Sequence, residues 1–235
     1  MELAEVMAAL EKLGTPQTKK TWLAHGATGD LFGVKIGDMK PIVKKLKGRQ
    51  DVALALYATG NLDAMYLAGL VADGAQMSKK ELDAWVKAAR WQMIAEYTVP
   101  WVAAESEHAR EIALKWIDAK QEHVACAGWN TYSGIVSLRP DAELDLAEIE
   151  SLMKRVQKDV GKAPNRVRYC MNGFVVAVGA AVKPLLSKAK AVAKSLGKVA
   201  VDMGSTACKV PVALDMIEKI ESMDRVGTKR KTMKC

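Results

Sequence analysis

The residues best suited to chemistry lie together near the middle of the chain, in one predicted helix that contains Gln92 and Glu96. Met93, Tyr97 and Trp101 follow helical spacing in the same helix and form an apolar stripe. Gln92 and Glu96 are four residues apart, so they share a neighbouring face. A carboxylate there, at the bottom of a basic groove, could stabilise a cation that develops on a sugar when a glycosidic bond breaks. On spacing alone, a paired or solvated surface glutamate is the stronger interpretation.

Other catalytic patterns are absent from the sequence. It has no phosphate-binding G-x-x-x-x-G-K, no G-x-G-x-x-G, no G-x-S-x-G nucleophile elbow and no H-E-x-x-H metal motif. The histidines are scattered at His25, His108 and His123. The cysteines form no C-x-x-C pair, and we expect them to be reduced and mostly buried: Cys126, Cys170, Cys208 and Cys235. We therefore predict no metal site and no cofactor, so any chemistry rests on carboxylates, aromatic rings, arginine and lysine.

Five of the six tryptophans fall between residues 85 and 129, which marks this segment as a centre of the fold. For Trp85, Trp101 and Trp116 we expect a place in the core between neighbouring helices. Trp91 and Trp129 are left as candidates for a functional site.

Positive charge is concentrated toward the two ends of the chain. Lysine and arginine number 35 against 27 aspartates and glutamates, which gives a formal charge of +8. Residues 35–49 carry six basic side chains and one acidic one, and residues 183–198 carry five lysines and no acid. This distribution favours a polyanionic partner, with a solvated lysine-rich surface as the alternative. We select Lys35, Lys40 and Lys44 as phosphate-binding residues.

The last nine residues, 227–235, carry four positive charges and no negative charge. We predict that they form a basic tail after a single domain that spans residues 1–226. Such a tail is either a solvated end or an arm that neutralises phosphates. We favour the arm, with Lys229, Arg230 and Lys231 as its contacts.

Short helices are predicted along the whole chain, because N-terminal capping patterns recur and apolar residues follow them at intervals of three and four. Most of the helices are too short to be stable alone, so they must pack on neighbours. This indicates an all-α fold, an α-solenoid of HEAT-like antiparallel helix pairs, with a globular bundle as the alternative. The predicted segments are 2–13, 16–25, 38–47, 51–59, 61–73, 79–90, 92–103, 107–119, 121–138, 145–159, 165–180, 183–196 and 211–222.

The sequence carries no sign of export or membrane insertion. Its N-terminus has no basic region followed by an apolar run, and no stretch reaches about 18 consecutive apolar residues. These features predict a soluble, cytoplasmic protein without a membrane partner. We expect it to be a monomer.

Three parts of the sequence resemble the AlkD-like DNA alkylation repair family. They are Leu31-Phe32-Gly33-Val34-Lys35 with the helix that follows it, the segment from Trp91 to Pro100, and Asn172-Gly173-Phe174 in the late apolar helix. The resemblance covers most of the chain. It implies a C-shaped solenoid with a basic concave face, which removes cationic N3- or N7-alkylated purines from duplex DNA. Since such a purine already carries a positive charge, the protein must mainly stabilise the charge that develops on deoxyribose.

The resemblance also implies roles for single residues. The family's catalytic aspartate falls on Glu96, whose side chain is one methylene longer. The tryptophan four residues before that aspartate falls on Gln92, although the adjacent Trp91 is aromatic. A second aromatic residue of the family's site falls on Phe174.

One arginine of the family's site has no counterpart in this sequence. Its position falls within residues 124–127, where no arginine occurs. Arg166 and Arg168 are the residues that could replace it in space. We also count both as predicted phosphate contacts.

Our leading hypothesis from the sequence is a DNA glycosylase in which Glu96 stabilises the sugar cation. The residues expected to line its lesion site are Trp91, Gln92, Phe174, Trp129 and Tyr132. One alternative is a relative that binds DNA but has lost excision, which the departures at Gln92 and at the missing arginine favour. The other alternative is a helical scaffold that binds proteins.

Overall fold

The computed structural model describes residues 1–234, and within them it contains thirteen α-helices and no strand. Each helix corresponds to one segment predicted from the sequence, so the all-α class is confirmed. The helices are α1 Leu3–Leu13, α2 Pro16–Ala24, α3 Lys40–Lys45, α4 Gln50–Ala58, α5 Leu62–Val71, α6 Lys79–Ala88, α7 Val99–Ala104, α8 Ala109–Ile117, α9 Glu122–Leu138, α10 Leu146–Asp159, α11 Asn165–Ala181, α12 Leu186–Leu196 and α13 Ala213–Ser222.

The predicted capping patterns begin several of these helices. The Thr15 hydroxyl accepts the Thr18 amide at 3.2 Å, with Pro16 in the first turn of α2. Ser78 and Glu81 form a reciprocal capping box at the start of α6. These side chains accept amide hydrogens that have no partner within the helix.

The helices stack in two layers, as expected for HEAT-like repeats. In one layer α5, α7, α9, α11 and α13 pack side by side, and in the other α4, α6, α8, α10 and α12 pack on their backs. Successive helices of the chain therefore form antiparallel pairs, and the α-solenoid prediction is confirmed.

Close packing of α5 fixes the segment that carries Glu96. A Cβ atom added to Gly69 would lie 2.4 Å from Cγ2 of Thr98, so only a hydrogen fits at this contact. Because Thr98 is two residues from Glu96, α5 sets the position of the candidate carboxylate.

The basic C-terminal residues lie against the helices instead of extending into solvent. Residues 227–234, the C-terminal strap, cross the carboxyl ends of α11, α9, α7 and α5. The Gly227 amide donates to Ala180 O and the Arg230 amide to Ser137 O, both at 2.8 Å. Further along, the Lys234 ammonium donates to Ala72 O. These carbonyls lack partners within their helices, so the strap acts as a shared C-terminal cap. Cys235, the last residue of the predicted tail, lies outside the described residues.

Two helices together, but no single one, meet the length and composition of a membrane span within residues 1–234. They are Asn165–Ala181 and Lys183–Leu196, which meet at an angle of 113°.

Candidate functional site

Glu96 lies in a widened helical turn, Ile94–Thr98, that leads directly into α7. The cause is Pro100, which has no amide to donate to the carbonyl of Glu96 four residues earlier. The Val99 amide bonds instead to Ile94 O, five residues back. The Glu96 carbonyl is satisfied from α9, where the Asn130 side chain donates to it at 2.7 Å. Turns of this π type are often found at functional sites.

The Glu96 carboxylate forms a two-pronged ion pair with Arg166 in the first turn of α11. Nε of Arg166 lies 2.7 Å from Oε1, and Nη2 lies 2.5 Å from Oε2. The Glu96 side chain is only 1 % exposed, whereas that of Arg166 is 18 % exposed. The guanidinium also stacks over the Tyr169 ring, 4.5 Å from its centroid. Both carboxylate oxygens are therefore occupied and shielded from solvent.

Burial and pairing act in opposite directions on the charge of this pair. Burial raises the pKa of the Glu96 carboxyl, and Arg166 offsets part of the rise. Burial lowers the pKa of Arg166, but the hydrogen bonds and charge of Glu96 outweigh it, so the pKa of the guanidinium is raised. Arg166 thus stays charged, and its charge and hydrogen bonds favour the ionised form of Glu96.

Two buried thiols adjoin the same carboxylate. Atoms of Glu96, Cys126 and Cys170 lie within 4.8 Å of one another. Burial raises the pKa of the Cys170 thiol, so it is uncharged at neutral pH. Sulfur and carboxylate are donor types that zinc accepts, but here Arg166 competes for the carboxylate. Among the described residues this is the one cluster of three such donors.

Glu96 forms part of the floor of a cleft of about 190 Å³, the Glu96 cleft. Its wall on the α2 side is the loop at His25, whose carbonyl accepts from Trp91 Nε1 at 3.1 Å and Gln92 Nε2 at 3.0 Å. Gln92 thus positions the wall. The lining residues are His25, Gly26, Arg90, Gln92, Ala95, Glu96, Glu122, His123, Cys126 and Arg166.

The structure corrects the placement of the predicted aromatic lining. Phe174, Trp129 and Tyr132 pack on each other in the core between α9, α10 and α11, with ring centroids of Phe174 at 5.3 and 5.8 Å from the other two. Trp91 is also buried, edge-on against Trp22. The side chains of α9 and α11 that adjoin Glu96 are those of Cys126 and Cys170, and Phe174 lies one helical turn beyond Cys170 along α11. No phenylalanine, tyrosine or tryptophan lines the Glu96 cleft in the described part of the chain.

The predicted phosphate-binding cations divide into free and engaged groups. Lys35, which precedes α3, and Lys40 and Lys44, which belong to it, are exposed and form no ion pair within residues 1–234. Arg230 and Lys231 are also exposed.

Three of the predicted cations have partners within the protein. Arg166 is held by Glu96. Arg168 donates to Ala200 O at 3.0 Å. Lys229 was predicted to contact phosphate, and the structure corrects this prediction. Its ammonium donates to Val136 O at 2.9 Å and pairs with Asp141 at 2.7 Å, so it is not a free cation.

Sequence reasoning missed the segment between α12 and α13, residues 197–212. The Asn165 side chain and the backbone of Asp202 exchange hydrogen bonds at 2.8 and 2.7 Å. Sδ of Met203 lies 3.4 Å from Nη1 of Arg166, and Sγ of Cys208 lies 3.8 Å from Nε2 of His25. The segment therefore lies beside the Glu96 cleft. It has no helical or strand pattern, so its sequence carried no signal of this position.

The Asn130 side chain gives a testable prediction about the widened turn. Asn130→Ala should lower the free energy of unfolding by about 1–3 kcal/mol, because the Glu96 carbonyl loses its partner in a buried place. Adding Pro100→Ala should restore part of the loss, since the new amide can donate to the same carbonyl. Urea denaturation of both variants measures the effect, and a double variant no more stable than Asn130→Ala contradicts the explanation.

Comparisons with known proteins agree with this fold. Residues 6–194 match the sequence profile of a family described as DNA alkylation repair enzyme. Lin0241 of Listeria innocua and Lmo0209 of Listeria monocytogenes are each 33% identical over 216 residues, which is 89% of this chain and 93% of theirs. One solved structure is 37% identical, with a TM-score of 0.92 and full coverage of both chains. It was described within a new family of proteins related to the HEAT-like repeat DNA glycosylases with affinity for branched DNA structures.

Proposed function

The chain belongs to the DNA alkylation repair enzyme family, and from that premise we propose that it binds branched DNA on the face with the Glu96 cleft and does not excise bases. The observation that carries the proposal is the sealed carboxylate, because Glu96 is 1 % exposed and holds both of its oxygens on Arg166. A sugar cation needs a carboxylate within direct reach, and here the guanidinium occupies that place.

The composition of the cleft supports binding without excision. Packing on a deoxyribose favours a large aromatic face, whereas the only rings that the described lining offers are the imidazoles of His25 and His123. Gln92 is engaged with the His25 carbonyl, so it is a structural group of the wall. The DNA affinity of the solved relative, at 37% identity over the whole chain, supports DNA as the partner.

Free cations supply the attraction for phosphate. Arg90 lines the cleft, is exposed and has no side-chain partner within residues 1–234. Lys35, Lys40 and Lys44 are similarly free. The first turns of α9 and α11 also meet at the cleft, but the Glu122 carboxylate accepts the Arg166 amide at 2.6 Å and already occupies the start of α11.

Base excision is the second candidate, and the place of Glu96 on the cleft floor favours it. In this mechanism Arg166 leaves the carboxylate for a DNA phosphate, and the freed Glu96 stabilises the sugar cation as the alkylated purine departs. The partial exposure of Arg166 gives it a route to the cleft.

DNA affinity and its salt dependence form the first prediction of the proposal. The protein should bind a four-way junction more tightly than a linear duplex of equal length. A plot of log Kd against log salt concentration should have a slope of about 0.9 for each phosphate contact. Arg90→Ala should lower that slope by about one, while Lys154→Ala, an exposed lysine on α10, should leave it unchanged. Absence of DNA binding at low salt would favour the protein-binding scaffold.

Excision is tested on methylated duplex DNA with the wild type and Glu96→Gln in parallel. We expect no release of 7-methylguanine or 3-methyladenine by either protein at enzyme excess. Release by the wild type that collapses in Glu96→Gln, with DNA affinity retained, would establish the second candidate instead.

A further inference from the structure

We propose that the C-terminal strap and the turn that follows α13 bind the phosphate backbone of a second DNA arm, an inference that rests on the proposed function. Arg225, Arg230 and Lys231 surround a hollow of about 580 Å³, the strap hollow. All three side chains are exposed, and none has a hydrogen-bond or ion-pair partner among residues 1–234. The floor of the hollow is formed by Ser137 and Ala180, at the carboxyl ends of α9 and α11.

The strap makes the carboxyl ends of α9 and α11 favourable to anions. Carboxyl ends of helices carry partial negative charge and would repel phosphate. Here the amides of Gly227 and Arg230 and the ammonium of Lys229 satisfy three of those carbonyls. Since Lys229 takes the capping role, the charges of Arg230 and Lys231 are left for an external anion.

The strap hollow and the Glu96 cleft lie at opposite ends of the same helices. Arg166 is in the first turn of α11 and Ala180 in its last, 14 residues later. A helical rise of about 1.5 Å per residue separates them by about 21 Å. The grooves of B-DNA are only about 6 and about 12 Å wide. The separation of the two basic sites is therefore greater than the width of either groove.

Two separated phosphate sites fit a DNA that presents two backbones in different directions. A duplex at the Glu96 cleft can carry a second arm from the branch point to the strap hollow. A second set of contacts within one complex raises affinity through effective concentration. The preference for branched DNA would then depend on the strap hollow, while affinity for linear duplex depends on the cleft.

The test removes the three free cations together. The triple variant Arg225→Ala, Arg230→Ala and Lys231→Ala should bind a four-way junction about 10-fold more weakly and a linear duplex less than about 2-fold more weakly. The control removes the same charge at exposed lysines that have no ion-pair partner among residues 1–234, in Lys12→Ala, Lys154→Ala and Lys158→Ala. It should leave the ratio of junction to duplex affinity unchanged. Circular dichroism and thermal unfolding check that both triple variants are folded.

The outcomes separate the inference from the proposed function. A triple strap variant that keeps the wild-type preference for the junction overturns the inference and leaves the proposed function standing. Equal losses on junction and duplex also overturn it, because the strap hollow would then contact any DNA. A wild type without preference for the junction defeats the proposed function itself.

Discussion

Asp63→Ala should lower the free energy of unfolding by about 3–5 kcal/mol, because this buried carboxylate organises the loop before α3. Its oxygens accept the amides of Phe32, Gly33 and Val34 at 2.7, 2.9 and 3.0 Å. Asp63 is itself buried in the first turn of α5, where the helix end favours negative charge. Alanine would leave three amides without an acceptor, two of them in buried bonds.

Urea denaturation measures this effect, and Asp73→Ala is the matched control. Asp73 also accepts a backbone amide, from Ala75 at 3.0 Å, but at an exposed turn. We expect the control to lose at most about 1 kcal/mol. Asp63→Asn, which keeps the shape and one acceptor oxygen, should fall between the two. Equal losses in Asp63→Ala and Asp73→Ala would show that burial of the amides is not the cause.

Asp63 also shows where sequence reasoning reached its limit. The run Leu31-Phe32-Gly33-Val34-Lys35 was one of the segments that carried the family resemblance, but its anchor lies about thirty residues later in the chain. Helix starts such as Ser78 with Glu81 were predictable because both partners of the cap are local. A carboxylate that binds a distant loop leaves no periodic or local pattern.

The candidate site was predictable only in part, because some of its contacts are local in sequence and others are distant. Spacing placed Gln92 and Glu96 on one face, and the family resemblance gave Glu96 its candidate role. Arg166 was one of two arginines named as a replacement for the arginine that this sequence lacks. Phe174 was misplaced because apolar spacing shows that a side chain is buried but does not show which buried neighbour it meets. The buried thiols beside Glu96 had no sequence signal, since Cys126 and Cys170 are far apart and belong to no spaced motif.

Arg166→Ala should be strongly destabilising near neutral pH, by about 3 kcal/mol, because it leaves the Glu96 carboxylate buried and unpaired. The double variant Arg166→Ala with Glu96→Gln should be more stable than Arg166→Ala alone, since it contains no unpaired buried charge. If the ion pair is part of the folded structure, the double-mutant cycle should give a large coupling energy between Arg166 and Glu96. If the pair is not formed in solution, the coupling energy should be near zero.

The loss of stability in Arg166→Ala should depend on pH. Burial raises the Glu96 pKa above its ordinary value of 4.5. Arg166→Ala removes the hydrogen bonds and the charge that offset part of this rise. The folded variant then holds a proton that the unfolded chain has released, so folding is favoured below the raised pKa and this stability is lost as pH rises through it. Relative to the wild type, the deficit should shrink as the pH falls from neutral toward the ordinary carboxyl value. The double variant, with glutamine at position 96, should show no such recovery, and equal recovery in both would place the titrating group elsewhere.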